Sequence, residues 1–454
     1  GQLNSSKHDP GQLNSSQTDP GQKNSSKHDP GQLNSSLTES GISRSRRSGK
    51  LNLERTDRKG NPMKYDFDQI IDRRGTDSIK WSKKILKKSF EEEDSIPMWV
   101  ADMDFVVAEP IRNALVERAQ HGIFGYGHKS DEFLEAVVNW QRKRNGWDIK
   151  KEWILFTPGV IPALNFIVET FCNPGDKVII QSPVYYPFSR IINNNGCHIV
   201  NNPLILNNGK YEMNFPELEK LACDSRTKLM ILCNPHNPVG RVWTEAELKQ
   251  LGGICIRNNI LVVADEIHSD LIYPPNKHIP FGKISEEFEM NSIVCTSPSK
   301  TFNLAGLQLS NIIIPNKRIR QELNNKLQTI GMDPNSFASV AQIAAYNHGE
   351  EWLEQLLAYL QDNLAFMDGF IKEKMPKVKL IKPEATYLAW LDFREYSLTY
   401  QELQTLMRKK AKVALDDGYI FGPGGEQFQR INFACPRAIL EEALERIARS
   451  LSPL

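Results

Sequence analysis

The stretch SIVCTSPSKTFNLAGLQ, at residues 292–308, joins a strand-like run to a lysine. Residues 292–296 are β-branched and apolar without alternation, a pattern typical of a strand buried on both faces of a parallel sheet. Lys300 follows the end of this run, between small hydroxyl residues. Most lysines are solvated surface charges, so Lys300 indicates a functional site only if other parts of the chain supply partners for it.

Three further runs have the same character, at residues 177–181 (KVIIQ), 228–233 (KLMILC) and 260–264 (ILVVA). Enough chain separates neighbouring runs for a crossover helix. The segment 244–259 is an example, because Thr244 followed by Glu247 is the pattern of a capping box. Strands that alternate with helices in this way predict an α/β domain with one mostly parallel sheet.

Chemically versatile side chains follow each of the four predicted strands. They lie in the segments SPVYYPF (182–188), NPHNPVG (234–240), DEIHSD (265–270) and SPSK (297–300). One residue from each segment stands out, and each of the four can also be explained without a ligand. These residues are Tyr185 as core packing, Asn237 as a turn former, Asp265 as a helix cap and Lys300 as a surface charge. Because ligands of such sheets bind at the carboxyl ends of the strands, we expect the four to lie together at one edge.

One cofactor, pyridoxal 5′-phosphate (PLP), accounts for the whole set. It needs an amine for its aldehyde, an acid facing its pyridine nitrogen, a donor to its phenolic oxygen, a stacking ring and amides for its phosphate. Lysine suits the first task because its pKa falls readily in a desolvated site.

NPHNPVG, DEIH and SPSKTFNLAG, in this order, resemble the signature of the fold-type I PLP enzymes, the aspartate aminotransferase superfamily. The resemblance covers about residues 63–454. It implies a large domain, at 110–340, with a mainly parallel seven-stranded sheet flanked by helices. It also implies a smaller α/β domain made from 341–454 together with the N-terminal segment 63–109.

The resemblance also implies roles around the cofactor ring. Lys300 resembles the Schiff-base lysine and the base that moves the substrate's Cα proton. Asp265 resembles the partner of the pyridine nitrogen, and Asn237 the donor to the phenolic oxygen. Tyr185 is expected to stack on the ring. His268 stands where aminotransferases commonly have tyrosine, and it is expected to bind the cofactor by donating to the phenolic oxygen or else to pair with its surroundings.

At the phosphate end, the turn TPGVIPAL resembles the phosphate-binding turn of the superfamily. The resemblance assigns the amides of Val160 and Ile161 to the phosphate at a helix N-terminus. Ser297 and Ser299 are expected to add hydroxyl donors. Gln308 stands where aminotransferases typically have a phosphate-binding arginine, which leaves open what replaces that charge.

Substrate contacts follow from the same resemblance. Arg430, in RINFACPR, resembles the arginine that holds the substrate's α-carboxylate in a bidentate fork, and Arg437 is a weaker candidate. Tyr126 resembles a tyrosine that reaches across a homodimer interface into the cofactor and substrate site of the neighbouring subunit. Trp99 and the segment ADMDF (101–105) are expected to line the substrate entrance.

The reaction has two branches once the Cα proton has been removed, transamination and β-elimination. Gln308 and His268, together with PMWVADMDF and NFACPR, resemble the MalY/PatB kind of cystathionine β-lyase. Such carbon–sulfur lyases act on L-cystathionine, and often on cysteine or S-substituted cysteines, releasing a thiol such as homocysteine, pyruvate and ammonia. An aminotransferase of a small amino acid and a regulatory, protein-binding role remain as alternatives.

Composition limits the partners of the chain. With 454 residues and a formal net charge of +1, it has no charge excess for nucleic acid or an anionic membrane. No apolar run approaches the roughly 18 residues of a membrane span. Seven scattered cysteines and the lack of an apolar leader predict a cytoplasmic location. The expected partners are a small amino-acid thioether and a second copy of the chain, without a metal.

The first 62 residues differ from the rest, since one decapeptide unit related to GQLNSSKHDP recurs four times. Such a unit has too few apolar residues to offset its conformational entropy. The sequence therefore predicts a disordered N-terminal tail over residues 1–62.

Overall fold

The computed structural model describes residues 64–453, so the predicted disordered tail at 1–62 lies outside the described residues. The strands of the described chain are β1 (Ile96–Pro97), β2 (Ile154–Thr157), β3 (Lys177–Ile180), β4 (His198–Asn201), β5 (Ile205–Asn207), β6 (Lys210–Glu212), β7 (Thr227–Cys233), β8 (Leu261–Asp265), β9 (Ser292–Thr296), β10 (Ser310–Ile313), β11 (Lys379–Ile381), β12 (Leu388–Asp392), β13 (Val413–Ala414), β14 (Asp416–Asp417) and β15 (Phe428–Asn432). The α-helices are α1 (Lys83–Phe90), α2 (Glu109–His121), α3 (Asp131–Asn145), α4 (Val160–Phe171), α5 (Pro187–Asn194), α6 (Phe215–Ala222), α7 (Glu245–Arg257), α8 (Glu286–Met290), α9 (Pro298–Thr301), α10 (Lys317–Gln328), α11 (Ser336–His348), α12 (Glu350–Lys374), α13 (Tyr400–Thr405) and α14 (Arg437–Leu451).

A seven-stranded sheet has the order β2-β10-β9-β8-β7-β3-β4. Every strand in it is parallel to the others except β10, which is antiparallel to both of its neighbours. All residues of β8 and β9 are buried, as the unbroken apolar runs predict. The predicted α/β fold with a mainly parallel seven-stranded sheet is confirmed.

Local sequence signals set the helix ends as expected. Thr244 and Glu247 form a capping box at the start of α7, in which each side chain bonds the backbone of the other residue. At α3, the Ser130 side chain accepts a hydrogen bond from the Phe133 backbone, and Gly146 ends the helix with a φ of 60°. A positive φ is easily adopted by glycine, which explains the stop at this residue.

The register of the sheet places the loops that carry chemistry side by side. Asp265, the last residue of β8, is the Cα partner of Cys233 in β7 and of Cys295 in β9. Because β7, β8 and β9 are parallel neighbours, the segments that follow them leave from one edge. Asn237 and Lys300 lie on two of these segments, so the sheet brings both residues next to Asp265.

A second, antiparallel sheet has the order β11-β12-β15-β14. Arg430 lies in β15, beside Trp390 of β12 and Asp416 of β14. The short strand β1 pairs in parallel with β13, so the segment before α2 is joined to the C-terminal part of the chain. The domain boundaries at 63–109, 110–340 and 341–454 remain predictions. Within residues 64–453, no helix is both long and apolar enough to cross a membrane.

Candidate active site

A cavity of about 230 Å³ opens at the carboxyl edge of the seven-stranded sheet. Five of the residues singled out in the sequence line it together: Lys300, Asp265, Asn237, Tyr185 and His268. They come from four segments that are far apart in the chain. The structure therefore forms the cluster that the strand ends predict.

Lys300 lies in the short helix α9, and its Nζ donates a hydrogen bond of 2.6 Å to the carbonyl oxygen of Ala101. Burial lowers the pKa of Lys300 to about 8, the positive charge of Arg430 adds to that effect, and Asp102 and Asp265 oppose it. A buried amine with a lowered pKa loses its proton at a small cost near neutral pH. Lys300 is thus suited to act as a nucleophile or a base.

Asp265 is 4% exposed, and its Oδ1 accepts a hydrogen bond of 3.2 Å from the Ile267 backbone. Burial raises the pKa of Asp265 to about 7, and nearby Glu266 raises it further, whereas the Ile267 hydrogen bond and Lys300 lower it. A cation placed directly in the cavity would stabilise the ionised form of the Asp265 carboxylate. A protonated ring nitrogen would be such a cation.

Two side chains of the cavity can act on an oxygen of a bound ring. His268 is buried, and its Nδ1 has no hydrogen-bond partner among residues 64–453. Burial, with the charges of Lys300 and Arg430, holds the pKa of His268 well below its usual value, so its ring is neutral. The Oδ1 of Asn237 accepts from Arg430 Nη1 at 2.9 Å, which leaves the amide NH₂ group of Asn237 as its donor.

The N-terminus of α4 forms another wall of the cavity. Val160 and Ile161 line the space, and the preceding Gly159 has a φ of 121°. No side chain of the described residues caps this helix end. The first backbone amides of a helix lack partners within the helix, so an uncapped end facing a cavity is suited to bind an anion.

The two predicted serine donors are placed differently. Ser299 lines the cavity, whereas Ser297 is not among its lining residues. The hydroxyl of Ser297 donates to the Leu309 carbonyl at 2.7 Å and accepts from the Ser299 backbone at 3.0 Å, capping α9. The hydrogen bonds of Ser297 thus hold the helix that carries Lys300. Gln308 also lines the cavity, at a φ of 54°.

Arg430 lies behind the cavity wall rather than on it. Its side chain is buried, with Nη1 on Asn237, Nη2 on the Trp99 carbonyl at 3.0 Å, and Nη2 also on the carboxylate of Asp416. Its guanidinium lies over the ring of Phe421 at 5.0 Å. The sequence did not indicate Asp416, because a two-residue strand such as β14 is too short for any alternation to be visible.

Trp99 is not among the residues that line the cavity. It packs edge-on against Phe90 at 5.1 Å, and its Nε1 donates to the Lys80 carbonyl at 3.3 Å. Trp99 contacts Arg430 through its carbonyl oxygen instead. Its predicted place at the substrate entrance remains a prediction.

The neighbouring segment ADMDF contributes its backbone. The carbonyl of Ala101 accepts from Lys300 and, at 2.9 Å, from the hydroxyl of Tyr387. Asp104 is buried and binds Lys80 Nζ at 2.7 Å and Trp81 Nε1 at 2.8 Å. The acidic side chain of Asp104 therefore anchors the segment, and the sequence pattern gave no sign of this role or of Tyr387.

Tyr126 is fully exposed, at 108% of its reference area, in the irregular segment between α2 and α3. Ile123 and Phe124 of the same segment are exposed as well. Tyr126 does not line the cavity of its own chain. Its contact with the site of a neighbouring subunit remains a prediction.

The family model for aminotransferase class I and II matches residues 96–447, which span both sheets and every wall of the cavity. The chain belongs to this family. It is 46% identical over 388 residues to cystathionine beta-lyase PatB of Bacillus subtilis (strain 168), a match that covers 85% of this chain and 100% of PatB. It is 32% identical to protein MalY of Escherichia coli (strain K12), covering 85% of this chain and 99% of MalY.

A solved structure of a relative is similar throughout the same region. The PLP-bound C-S lyase of Staphylococcus hominis matches with a TM-score of 0.80 and 36% sequence identity, covering 86% of this chain and 98% of that one. The predicted resemblance to the aspartate aminotransferase superfamily and its MalY/PatB members is confirmed.

The cavity of this aminotransferase-family chain fits the predicted cofactor. The unpartnered Nδ1 of His268 and the NH₂ group of Asn237 can face an oxygen substituent on a ring. The raised pKa of Asp265 shows a carboxyl group without its matching cation. The uncapped end of α4 offers amides to a phosphate.

Asp265 gives a test in this family member that does not depend on turnover. Burial raises the pKa of its carboxyl from 3.8 to about 7, so the folded apoprotein holds a proton that the unfolded chain has already released. The contribution of Asp265 to the free energy of unfolding is fully present below the pKa of its carboxyl in the unfolded chain. It is lost as pH rises through the pKa of the same carboxyl in the folded protein. We expect Asp265→Asn apoprotein to be more stable than wild type by about 2–4 kcal/mol at pH 8, and equally stable at pH 4.

Urea unfolding of both apoproteins at pH 4 and pH 8 measures this difference. Asp148→Asn is the matched control, because Asp148 is exposed and paired only at the surface with Arg142, and exposed pairs contribute about 0–1 kcal/mol. A gap between Asp265→Asn and wild type that does not change with pH would contradict the raised pKa.

Proposed function

We propose that the chain is a PLP-dependent carbon–sulfur β-lyase. Its substrates are L-cystathionine and, as a class, cysteine or S-substituted cysteines, which it cleaves to a thiol, pyruvate and ammonia. The observation that carries the proposal is the opening of Lys300 and Asp265 onto one cavity, with Asn237 and the N-terminus of α4 on its other walls. This arrangement matches the functional groups of PLP one by one.

Bound PLP supplies an electron sink for the electron pair left at the substrate's Cα. The chain's own residues do the remaining work. Asp265 would hold a proton on the ring nitrogen, and Asn237 and His268 would hold the phenolic oxygen. The amine of Lys300 would bind the aldehyde carbon when no substrate is present, and as a free amine it would take the proton from the substrate's Cα. Tyr185 packs against the ring.

After the loss of the Cα proton, elimination breaks the Cβ–S bond, the leaving thiolate takes up a proton, and water hydrolyses the remaining three-carbon fragment to pyruvate and ammonia. Transamination requires a second, 2-oxo acid substrate instead. Gln308 and His268 support the lyase, since both depart from the aminotransferase pattern in the way that MalY/PatB sequences do. PatB is named a cystathionine beta-lyase, and the similar Staphylococcus hominis protein a C-S lyase. Both names support elimination in this chain.

We also propose a homodimer with shared sites, in which Tyr126 reaches the cofactor and substrate of the neighbouring subunit. The full exposure of Tyr126 beside exposed Ile123 and Phe124 supports this arrangement, because a segment of exposed apolar side chains is suited to an interface.

A cytoplasmic location is part of the proposal. It is supported by cysteines that form no disulfide within the described chain.

Incubation of the purified holoenzyme with L-cystathionine tests the function. We expect pyruvate and a free thiol in equal amounts without any added 2-oxo acid. Cys223 is an exposed thiol, so a sample without substrate provides the background for the thiol assay. Strict dependence on a 2-oxo acid, with no thiol released, would instead favour the aminotransferase.

A further inference from the structure

We propose that Asp416 is an internal competitor of the substrate: its carboxylate occupies Arg430 in the substrate-free protein, and the α-carboxylate of the amino acid must displace it. The proposal rests on the proposed function, in which Arg430 binds that α-carboxylate. It accounts for a buried acid that the reaction itself does not use.

The two residues are fixed next to each other by the second sheet. Asp416 and Arg430 are directly opposite in the antiparallel pair β14–β15, so their side chains leave the sheet on the same face. Asp416 is 7% exposed and Arg430 is 3% exposed. The Nη2 of Arg430 donates to Oδ2 of Asp416, and this ion pair is shielded from water.

A count of donors shows why the pair excludes a second carboxylate. Arginine has five N–H groups, of which two are on Nη2. Those two are taken by the Trp99 carbonyl and by Asp416, and one N–H of Nη1 is taken by Asn237. The Nε has no partner among residues 64–453. An incoming carboxylate that forms a bidentate hydrogen bond through Nη2 can therefore bind only if the Trp99 carbonyl or Asp416 gives up its hydrogen bond to Nη2.

Asp416 is the acceptor that can leave. The Trp99 carbonyl belongs to a backbone segment held on both sides: Met98 bonds Ala414 and Asn432 through main-chain groups, and the Val100 carbonyl accepts from the Asn432 side chain at 2.7 Å. Within residues 64–453, the guanidinium of Arg430 is the one group that hydrogen-bonds the side chain of Asp416. Rotation of this side chain frees the edge of Arg430 that the α-carboxylate needs.

Charge makes the two carboxylates antagonists. The charges of Arg430 and Asp417 act on Asp416, and Tyr185 and Tyr186 feel the charge of Asp416. Burial raises the pKa of Asp416, Arg430 lowers it, and Asp417 raises it. With a second carboxylate on the same buried guanidinium, one negative charge is left uncompensated unless Asp416 takes up a proton. Carboxylate binding is therefore expected to weaken as pH rises.

Propionate, titrated into the holoenzyme and followed by the cofactor absorbance, tests the competition without turnover. We expect Asp416→Asn to bind propionate about tenfold more tightly, because a charge-assisted hydrogen bond no longer has to be broken. Binding of the neutral propionamide should not change. The wild-type Kd for propionate should rise between pH 6 and pH 9 more than that of the variant. Unchanged or weaker propionate binding in Asp416→Asn would overturn the proposal.

Two controls keep the outcome clear. Asp417→Asn removes the neighbouring charge, which pairs with Arg408 instead of Arg430, and should change propionate binding far less than Asp416→Asn does. Thermal unfolding should show a lower Tm for Asp416→Asn and a larger rise on adding propionate than in wild type. If Asp416→Asn does not fold, Asp416→Ser takes its place in the propionate titration. The ratio of the propionate Kd to the propionamide Kd is then also measured in wild type, and a ratio that does not change with pH overturns the proposal.

Arg430→Gln separates failure of this proposal from failure of the proposed function. If Arg430→Gln binds propionate as tightly as wild type, Arg430 is not the carboxylate site and its assigned role is wrong. If Arg430→Gln loses propionate while Asp416→Asn gains none, the role of Arg430 stands and only the competition by Asp416 is wrong.

Discussion

Lys300→Ala is expected to lower kcat/KM for L-cystathionine by at least about 10³-fold, because one residue supplies both the covalent link and the base. The buried position of Lys300 and its pKa of about 8 suit both tasks. The variant should also lose the yellow colour of a cofactor joined to lysine. Steady-state kinetics and the visible absorbance spectrum of the purified variant check the two effects.

Lys249→Ala is the matched control. Lys249 lies on the exposed face of α7 and pairs with Glu245 one turn away, far from any role in the cavity. This variant should keep both its absorbance and its kcat/KM. Turnover and colour that survive in Lys300→Ala would show that another lysine holds the cofactor.

The second large effect is expected for Arg430→Gln, which should raise KM for L-cystathionine by roughly 10- to 100-fold while kcat changes less. Glutamine cannot form the charged fork to the α-carboxylate. It also leaves the buried Asp416 without its counter-ion, so the variant should unfold at a lower temperature than wild type. Steady-state kinetics and thermal unfolding measure the two consequences.

Arg394→Gln is the corresponding control, since Arg394 follows the neighbouring strand β12 and pairs its exposed side chain with the buried Asp392 instead of with Asp416. It should leave KM unchanged. A similar KM in Arg430→Gln and in wild type would remove Arg430 from the substrate site.

The part of the fold that carries the site could be predicted from residue patterns. The apolar runs before Asn237, Asp265 and Lys300 each form a strand, because residues buried on both faces of a sheet need no alternation. Parallel pairing of neighbouring strands then forces their carboxyl ends to one edge. The clustering of these residues with Tyr185 and His268 follows from topology alone, so no side-chain detail was needed.

Contacts that depend on the second sheet could not be predicted in this way. Asp416 meets Arg430 through the pairing of two strands, one of which has only two residues. The acceptor for Lys300 is a backbone carbonyl at Ala101, and a carbonyl has no signature in a sequence. Residues separated by such long stretches of chain come together only through tertiary packing.

Ser297 shows a different limit of sequence patterns. A serine one residue before a helix is suited both to bind a phosphate and to cap the helix, and the pattern SPSK does not distinguish between them. In the structure, Ser297 caps α9 and bonds Leu309, while Ser299 faces the cavity. The choice depends on where the Leu309 carbonyl lies, which is a property of the folded chain.

Borohydride reduction of the holoenzyme, followed by digestion and mass spectrometry of the peptides, identifies the lysine that holds the cofactor. Reduction fixes the cofactor permanently to the amine that holds it. We expect a single pyridoxyl-modified peptide, with the modification on Lys300. Modification of a different lysine, or an unmodified Lys300 peptide in fully reduced protein, would contradict the assignment of the active site.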